Sequence, residues 1–556
     1  MSEIETTVLI VGGGPVGLLG AQLLGRRGVK TLVAEKYPAR LEAPKAHALN
    51  PRSLEICEAA GLPMDAIHAV ATPTEDGAYV RMVETLSKAP IGAITYERQD
   101  AAVRALTPWP LINIEQPRFE EIVEGSIHSL PSVELRRGLE WLECLQIGNS
   151  VVSTLRDRTS GETVKVRSRY VIACDGANSA VRDGVGIAMD GPEGLANHMM
   201  IHFEANLRPV VKDIPGILYF LFGPGINGVL IAYDIEKTWV LMHPCGPDAS
   251  EVEFDEARCR AAVLSAVGAD VPDLVIKGVR GWMMSAQVAR RYRDGQVFLA
   301  GDAGHRFPPT GGLGLNTGIA DIDNLTWKIA TVEAGWASPD LLESYEPERR
   351  IIAQTNMGQS LANAFRIRTL FEALGYAPDQ TVTADVFHGR LADPAGRATI
   401  DEAIAYQKDH FDSLRLQLGY AYSDALAGDQ YLPISEFAQK CVEGARLPHI
   451  ALQNSASTLN LVNPDGFTLI TGREGASWHA LVPLAGAPLA CKVEGADFSV
   501  PGTPWSERMG LAATGAVLVR PDGHILAIAL TDDAADISRL GQALAGCLRP
   551  QLQGTA

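Results

Sequence analysis

A G-x-G-x-x-G turn near the amino terminus constrains the fold more than any other feature of the sequence. The stretch TTVLIVGGGPVGLLGAQLLGRRGVKTLVAEK reads as strand, glycine turn, helix and second strand, and it ends at Glu35. Such glycines allow a tight turn, a close approach of backbone to a pyrophosphate and close packing of helix on strand. Glu35 can accept from ribose hydroxyls and would repel a 2′-phosphate, which favours FAD or NAD over NADP. The predicted phosphate-binding turn comprises Gly12, Gly14, Pro15, Val16 and Gly17.

The bulk composition excludes several classes of partner. The chain has 556 residues, a net charge of −18 and 46% hydrophobic residues, so it is long enough for roughly three or four domains and repels nucleic acid and anionic membranes. No apolar run approaches the roughly 18 residues of a membrane span, and we expect no signal peptide in the acidic first ten residues. Eight scattered cysteines without a C-x-x-C motif predict reduced thiols in a cytoplasmic protein, with neither a metal site nor a disulfide scaffold.

A second glycine-rich stretch, GDAGHRFPPTGGLGLNTG at residues 301–318, follows a strand of the buried type. Asp302 ends that strand, and two prolines prevent regular structure before three closely spaced glycines. These glycines leave backbone N–H groups that a flat ligand can approach. A helix begins beside Leu315 and Asn316, and its N-terminus can stabilise an anion. The stretch therefore predicts a surface for a flat ligand that carries negative charge at one edge.

These two stretches and a third, YVIACDGANSAVR at residues 170–182, resemble the three FAD-binding motifs of the flavoprotein aromatic hydroxylases, the family of para-hydroxybenzoate hydroxylase and phenol hydroxylase. The resemblance implies that Asp302 binds the ribityl chain and that Pro309 lies near the reactive edge of the flavin. Asp175 would serve both FAD and the reduced nicotinamide. No second G-x-G-x-x-G follows a strand, so we expect NADH or NADPH to bind transiently. The backbone expected at the N1/C2 edge of the flavin belongs to Gly314, Leu315 and Asn316.

The segment APKAHALNPRSLEICEAAGL, residues 43–62, resembles the Arg-Ala-His stretch of the phenol-hydroxylating branch of this family. The histidine of that branch takes the phenolic proton, and the matching residue is His47; the alternative is a histidine that only completes a helix-capping turn. A phenol with a pKa near 10 is mostly protonated at pH 7, and histidine can accept that proton. Lys45 stands where relatives usually have arginine, and we expect it to meet a phosphate or the flavin edge. Gln116 matches a family residue near the ribityl chain.

The resemblance implies an FAD monooxygenase that uses NADH or NADPH and O2 to hydroxylate a phenolic ring through a flavin C4a-hydroperoxide. Three alternatives stay open: a polyketide-tailoring or Baeyer–Villiger oxygenase, a flavin oxidase or dehydrogenase that turns over without nicotinamide, and a non-catalytic flavin-binding module. The expected partner is a small phenolic substrate, with neither nucleic acid nor membrane, and a homodimer is left open.

The predicted fold class is α/β: a Rossmann-like FAD-binding domain with an inserted, mostly-β substrate domain and a C-terminal thioredoxin-like domain. The strand-like segments before residue 285 would roof the substrate pocket, as in the family, and the C-terminal part lacks a redox C-x-x-C. The predicted segments are 1–185 and 286–400 for FAD binding, 186–285 for the substrate domain, 401–440 for a connector and 441–556 for the thioredoxin-like domain. The candidate pocket residues are Tyr219, Phe222, Tyr233, His243 and Trp282.

Overall fold

A six-stranded sheet lies at the centre of the computed structural model, which describes residues 3–43, 45–377, 382–484 and 486–548. Its inner strands are short apolar runs that are buried on both faces, as expected for parallel strands covered by helices. Neighbouring strands are parallel except for a hairpin at one edge. In spatial order the strands are Arg293–Asp294, Val297–Leu299, Tyr170–Ala173, Val8–Val11, Thr31–Glu35 and Val133–Arg137.

Three adjacent parallel strands bring the three predicted FAD motifs to one edge of this sheet. The glycine turn follows Val8–Val11, the Asp175 motif follows Tyr170–Ala173, and the Asp302 motif follows Val297–Leu299. The carboxyl ends of parallel strands share one edge, which is where ligands bind in open α/β sheets. Segments separated by more than a hundred residues in the sequence therefore converge on one place.

Two helices pack against each other beside this sheet. Pro15–Arg26 continues the glycine turn, and Leu313–Glu333 continues the second glycine-rich stretch. A Cβ on Gly20 would lie only 2.6 Å from a side-chain carbon of Ile322, so the glycine lets the two helices approach closely. This contact fixes the distance between the two predicted ligand-binding turns.

A seven-stranded sheet forms the second layer of the molecule. Two of its strands lie within the segment predicted to be FAD-binding, so the sheet draws on more of the chain than the predicted range 186–285. The second of them, Pro90–Thr95, is followed directly by Tyr96, whose ring lies beside that of His47. In spatial order the strands are Val275–Met284, Ala196–Glu204, Thr238–Cys245, Gly228–Ala232, Leu218–Leu221, Tyr79–Val83 and Pro90–Thr95.

The remaining regular structure is distributed around these two sheets. One further four-stranded sheet contains Glu3–Glu5, Thr163–Ser168, Ser150–Asp157 and Leu139–Ile147; a three-stranded sheet contains Met189–Asp190, Gln287–Ala289 and His305–Arg306; and Ala48–Leu49 pairs with Ile112–Asn113. The other helices are Pro51–Ala59, Met64–Ala69, Thr74–Gly77, Gln116–Ile127, Ala180–Gly184, Arg208–Val211, Glu256–Val267, Tyr345–Ala373, Ala384–Ala392, Pro394–Ala405, Lys408–Phe411, Leu414–Leu418 and Trp505–Arg508.

The C-terminal part folds around its own mixed four-stranded sheet, in the order Leu489–Val493, Phe467–Thr471, Ala516–Val519 and Ile525–Ala529. The first two strands are parallel and the other neighbours are antiparallel, and the helix Ala534–Leu548 follows. This arrangement and the two sheets above confirm the predicted α/β fold class. Residues 1–2 and 549–556, which complete the predicted first and last segments, lie outside the described residues.

Buried ion pairs attach this C-terminal part to the FAD-binding part. Arg446 donates to both carboxylate oxygens of Glu55, at 2.8 and 2.9 Å. Arg520 likewise donates to both oxygens of Glu348, at 2.8 and 2.9 Å. All four side chains are largely buried. All eight cysteines are free thiols. None of the helices in the described ranges is long and apolar enough to cross a membrane.

Candidate active site

The first glycine turn has the geometry that a pyrophosphate needs. Gly12 has a φ of +108°, and a Cβ there would lie 2.2 Å from the carbonyl oxygen of Cys174. A Cβ on Gly17 would lie 2.0 Å from the Gly12 carbonyl oxygen, so the helix approaches the strand only because both residues are glycines. A Cβ on Gly14 would meet no atom of the described residues within 4 Å. Gly14 is the N-cap of the helix Pro15–Arg26, so this open side faces a helix N-terminus that suits phosphate.

Glu35 holds the turn in this conformation. Its Oε2 accepts from the backbone N–H of Gly13 at 2.7 Å, and its Oε1 accepts from the backbone N–H of Tyr37 at 2.8 Å. A carboxylate has about four lone-pair directions, so these two bonds leave capacity for ribose hydroxyls. The structure therefore adds a structural role to the predicted ribose contact of Glu35.

Val16 joins the first turn to the turn that carries Asp302. A Cβ on Gly301 would lie 3.2 Å from a methyl carbon of Val16, and a Cβ on Gly318 would lie 2.8 Å from it. Asp302 is exposed at this junction and makes no hydrogen bond to the other described residues. The neighbouring backbone N–H of Gly301 donates to Oδ2 of the buried Asp321 at 3.2 Å. The carboxylate of Asp302 is therefore presented beside the pyrophosphate turn, where a ribityl chain would continue.

The helix Leu313–Glu333 starts at the second glycine-rich stretch. Its N-cap, Gly312, has a φ of +61° and donates its N–H to the carbonyl of Pro309 at 3.2 Å. The first N–H groups of a helix have no partner within the helix, and here they belong to the residues around Gly314 and Leu315. A Cβ on Gly314 would meet no atom of the described residues within 4 Å. This helix start thus has an open side and a positive dipole end, which fits an anionic ring edge.

Asn316 uses its side chain to tie this helix start to the loop that follows His47. Its Oδ1 accepts from the backbone N–H of Asn50 at 2.9 Å and from the hydroxyl of Ser53 at 2.6 Å. Its Nδ2 donates to the carbonyls of Ala48 at 3.0 Å and Gly312 at 2.7 Å. Because the amide is fully occupied, the contact expected from Asn316 to a flavin would come from its backbone, as predicted.

His47 is fixed at both its backbone and its ring. Its carbonyl accepts from the backbone N–H of Ile114 at 2.6 Å, and its Nδ1 lies 2.9 Å from Oδ1 of Asn113. The amide oxygen can only accept, so we assign the proton to Nδ1 and the free lone pair to Nε2. Burial lowers the pKa of His47, although the Asn113 hydrogen bond opposes this. The ring is therefore neutral at pH 7 and able to take a proton.

Two tyrosines stand beside the His47 ring. The ring centroid of Tyr96 lies 5.8 Å away, and that of Tyr233 lies 6.0 Å away in an edge-on arrangement. The hydroxyl of Tyr233 donates to the carbonyl of Lys45 at 2.9 Å. Tyr233 is thus the predicted pocket residue that the structure brings to His47, and its hydroxyl positions the loop.

The other four aromatic candidates make their ring contacts elsewhere. Tyr219 is fully buried in the core of the seven-stranded sheet, and its hydroxyl donates to the carbonyl of Ile214 at 3.0 Å. Both its ring and its hydroxyl make contacts within the core, and the predicted substrate contact of Tyr219 stays a prediction. The remaining pairs are Phe222 with Phe371, His243 with Phe254 and Trp282 with His198.

Gln116 and Lys45 lie at the edges of the same loop. Gln116 accepts from the backbone N–H of Ala46 at 3.2 Å and donates to Glu120 at 2.8 Å, so it braces the residue next to His47. Lys45 is exposed, and its amine forms no ion pair with the described residues. The predicted contacts of both side chains with FAD stay predictions.

Asp175 has a clear local role in the third motif. Its Oδ1 accepts from the Ser179 hydroxyl at 2.5 Å, and its Oδ2 accepts from the backbone N–H of Val181 at 3.1 Å. Burial raises the pKa of Asp175 while these hydrogen bonds oppose the shift. The carboxylate therefore shapes the start of the helix Ala180–Gly184, and its predicted contact with FAD or nicotinamide stays a prediction.

Sequence reasoning missed the buried charges on and around the helix Leu313–Glu333, which we call the flavin-side helix. Asp321 accepts from Arg349 at 2.8 Å and lies 3.0 Å from Nε2 of His305, and all three side chains are fully buried. Burial opposes ionisation of Asp321, but Arg349 and His305 outweigh it and lower its pKa. The signal was available in GIADIDNLTWK, where charged residues interrupt an otherwise apolar helix. Asn113 and Tyr96 were also missed, because nothing in their local sequence distinguishes them.

Fold and site together define an α/β protein with two glycine turns suited to a dinucleotide, and the loop that follows His47 is hydrogen-bonded to the helix start at the second turn. The FAD binding domain family matches residues 5–360, and the family described as aromatic-ring hydroxylase, C-terminal, matches residues 440–549. The chain is 32% identical to 2,4-dichlorophenol 6-monooxygenase of Cupriavidus pinatubonensis (strain JMP 134 / LMG 1197), over 96% of this chain and 95% of that one. It is 30% identical to tetracenomycin B2 monooxygenase-dioxygenase of Streptomyces olivaceus, over 94% of this chain and 95% of that one.

A solved structure of the flavin-dependent monooxygenase PieE in complex with FAD and substrate superposes with a TM-score of 0.91, at 31% identity, over 99% of this chain and 100% of that one. The chain belongs to the FAD-dependent aromatic hydroxylases, and it is an FAD monooxygenase that uses O2 and a reduced nicotinamide. The residues present fit the cofactor, since Gly14 and Gly314 each leave an open side at a helix N-terminus, the first suited to a pyrophosphate and the second to the anionic edge of a flavin.

Proposed function

We propose that this protein hydroxylates a small phenolic substrate, with His47 as the base that takes the phenolic proton. The observation that carries the proposal is the 2.9 Å contact between Nδ1 of His47 and Oδ1 of Asn113, from which we assign the proton to Nδ1 and the available lone pair to Nε2. Asn316 ties the loop after His47 to the flavin-side helix start. A base held next to the flavin edge suits a substrate that must lose a hydroxyl proton before its ring is attacked.

The protonation states favour this direction of transfer. A free phenol has a pKa near 10 and is mostly neutral at pH 7. His47 is neutral because burial lowers its pKa, so it can accept the proton when a phenol binds. The proton moves from the substrate hydroxyl to Nε2, and the ring gains the electron density that an electrophilic oxygen donor requires. FAD, when bound, would supply the redox chemistry: it would carry electrons from NADH or NADPH to O2.

The remaining residues bind, orient and exclude water. Tyr96 and Tyr233, whose rings flank His47, are only 4% and 3% exposed, so the wall beside His47 is largely shielded from water. A dry wall protects a reactive oxygen donor from water and strengthens each polar contact inside the site. Gly14 and Gly314 give the cofactor close access to backbone N–H groups, and Asp302 is available to the ribityl hydroxyls.

Oxygen and NAD(P)H consumption by the FAD-loaded protein, with and without a panel of simple and polycyclic phenols, tests the proposal. Phenol-stimulated consumption, a product that gains the mass of one oxygen atom and little free peroxide are the expected results. The His47→Gln variant serves as the control for the base. If none of the phenols stimulates consumption, the phenolic substrate class is wrong.

A polyketide-tailoring oxygenase is the second candidate, and the names of relatives favour it. They include tetracenomycin B2 monooxygenase-dioxygenase and aklavinone 12-hydroxylase RdmE, the latter 29% identical over 99% of this chain. The same base would serve for a polycyclic substrate that carries a phenolic hydroxyl. Preference for polycyclic over simple phenols would select this candidate, and a lactone product would indicate Baeyer–Villiger chemistry.

An oxidase or dehydrogenase would turn over without NADH or NADPH, and a non-catalytic flavin module would show no turnover with any phenol, so the same assay separates both. The predicted domain limits are supported by the six-stranded sheet and the C-terminal sheet, whose strands all lie within the segments predicted for them. Two strands of the seven-stranded sheet, Tyr79–Val83 and Pro90–Thr95, lie outside the predicted range 186–285. A cytoplasmic location is supported by the eight free thiols. A homodimer is left for a measurement of mass in solution.

A further inference from the structure

We propose that Tyr96 is a substrate-binding residue whose hydroxyl donates a hydrogen bond to the same phenolic oxygen that His47 deprotonates. The inference rests on the proposed function and adds a second protein group to the oxygen-binding site. In this arrangement the substrate proton moves to Nε2 of His47 and Tyr96 keeps its own proton. The tyrosine therefore binds and stabilises the phenolate oxygen without entering the proton balance.

The position of Tyr96 places it between the base and the flavin-side helix. Its centroid lies 5.8 Å from that of His47. Its hydroxyl oxygen lies 3.6 Å from the point where a Cβ on Gly312 would stand, so it reaches the N-cap of the helix Leu313–Glu333. Two rings at this separation can direct polar atoms to one ligand oxygen. Tyr96 owes its position to the strand Pro90–Thr95, which ends immediately before it.

The hydroxyl of Tyr96 lacks a partner among the described residues. The residue is only 4% exposed, and a buried tyrosine hydroxyl usually finds a hydrogen-bond partner. Its neighbours follow that rule, since Tyr233 donates to Lys45 and Tyr376 donates to the carbonyl of Phe222. The Tyr96 oxygen is also absent from the set of buried side-chain atoms that have no partner in the described chain, so an oxygen without a partner here is not fully enclosed. It therefore borders accessible space, where a ligand oxygen can complete its hydrogen bonding.

The electrostatic surroundings make this hydroxyl a donor. Burial raises the pKa of Tyr96 well above its ordinary value, and the neighbouring Glu97 carboxylate and Tyr233 act in the same direction. Tyr96 accordingly stays protonated at neutral pH. Donation to a charged oxygen is stronger than donation to a neutral one, so the tyrosine binds the phenolate more tightly than the phenol. It lowers the pKa of the bound substrate and helps His47 to remove the proton.

The test uses the FAD-loaded Tyr96→Phe variant, which deletes one oxygen atom and keeps the ring against His47. Difference spectra with 4-nitrophenol report both binding and ionisation of the bound phenol. We expect the Kd of 4-nitrophenol to rise about tenfold, as for the loss of one hydrogen bond to a charged group. We expect the ionisation midpoint of the bound phenol to rise by about one pH unit. The Kd of FAD and the melting temperature should stay at wild-type values.

Tyr376→Phe is the matched control, because it deletes a hydroxyl that donates to backbone carbonyls instead of facing His47. Its phenol affinity and ionisation midpoint should equal those of the wild type. If Tyr96→Phe also leaves both quantities unchanged, the inference is wrong while the phenolic function stands. A weakened FAD affinity with unchanged phenol binding would reassign the hydroxyl to the flavin. If the wild-type protein binds and hydroxylates no phenol, the proposed function fails and the inference fails with it.

Discussion

Nδ1 of His47 lies 2.9 Å from Oδ1 of Asn113, although the two residues are 66 positions apart in the sequence. They meet because the short strands Ala48–Leu49 and Ile112–Asn113 pair as antiparallel neighbours. The contact decides the chemistry of the ring, since the nitrogen that faces an amide oxygen must carry the proton. The other nitrogen is then a base, and its availability depends on Asn113 as much as on His47 itself.

Replacing Asn113 with leucine should lower kcat for phenols about tenfold while the Kd of FAD stays unchanged. Leucine has a similar size but no acceptor, so both tautomers of His47 become accessible and the productive one loses population. Asn113→Asp keeps an acceptor and adds a negative charge, which raises the pKa of His47. The acidic limb of its pH–rate profile should therefore move to higher pH. Identical profiles for the wild type and Asn113→Asp would show that the contact does not position the base.

Replacing His47 with glutamine should lower kcat/KM for phenols about a hundredfold at pH 7, a typical contribution of a general base. Burial lowers the pKa of His47, so the wild-type enzyme should keep its activity below pH 6.5 and lose it only as the ring becomes protonated. The variant should instead gain activity as the pH rises toward the pKa of the phenol in solution. Rates measured from pH 5 to pH 10 separate the two profiles, and a constant ratio across this range would contradict the base role.

Replacing Gly314 with alanine should weaken FAD binding without destabilising the apoprotein. The added methyl group would stand where no described protein atom lies within 4 Å, which is the side assigned to the flavin. Gly125→Ala is the matched control, because Gly125 is also a helical glycine with an open side but lies in the helix Gln116–Ile127. Flavin fluorescence titration should show a raised Kd for Gly314→Ala alone. Equal affinities for the two variants would remove Gly314 from the flavin surface.

Local sequence patterns were sufficient for the cofactor-binding turns and insufficient for the substrate side. Glycines at fixed spacing report their own backbone geometry, as the φ of Gly12 shows, so the motif predicts a turn and its ligand together. Tyr96 and Asn113 acquire their roles through pairing of distant strands, which no local pattern encodes. Tyr219 illustrates a related limit, because the sequence of a strand does not show whether an aromatic residue faces a core, as Tyr219 does, or a pocket.

The same limit applies to the attachment of the C-terminal part, which depends on single side chains far apart in sequence. Arg446 and Glu55 are 391 positions apart, and both are buried. Arg52, next to Glu55 in the helix Pro51–Ala59, donates to the carbonyl of Asp522 at 2.6 Å. The N-cap of that helix is Asn50, whose backbone N–H donates to Asn316. The C-terminal part is thereby connected through one short helix to the flavin-side helix start.

Replacing Arg446 with methionine should therefore destabilise the enzyme by about 3–5 kcal/mol, the cost of leaving a buried charge without its partner. Burial opposes ionisation of Glu55, but Arg446 outweighs it and lowers the pKa of Glu55. A lowered pKa in the folded state gives stability that is present above the unfolded pKa and is lost as the pH falls. The wild type should accordingly lose its stability advantage over Arg446→Met as the pH is lowered below about 4.5, the ordinary value for glutamate.

Melting temperatures of the FAD-loaded proteins between pH 4 and pH 8 measure this effect. Arg539→Met is the control, because Arg539 pairs with Glu443 at the surface and its loss should cost about 1 kcal/mol or less. The double variant Arg446→Met with Glu55→Met should recover most of the lost stability, since apolar side chains of similar volume can replace a buried ion pair. If Arg446→Met melts like Arg539→Met at neutral pH, the ion pair does not hold the C-terminal part in place, and the apolar contacts of that part must do so instead.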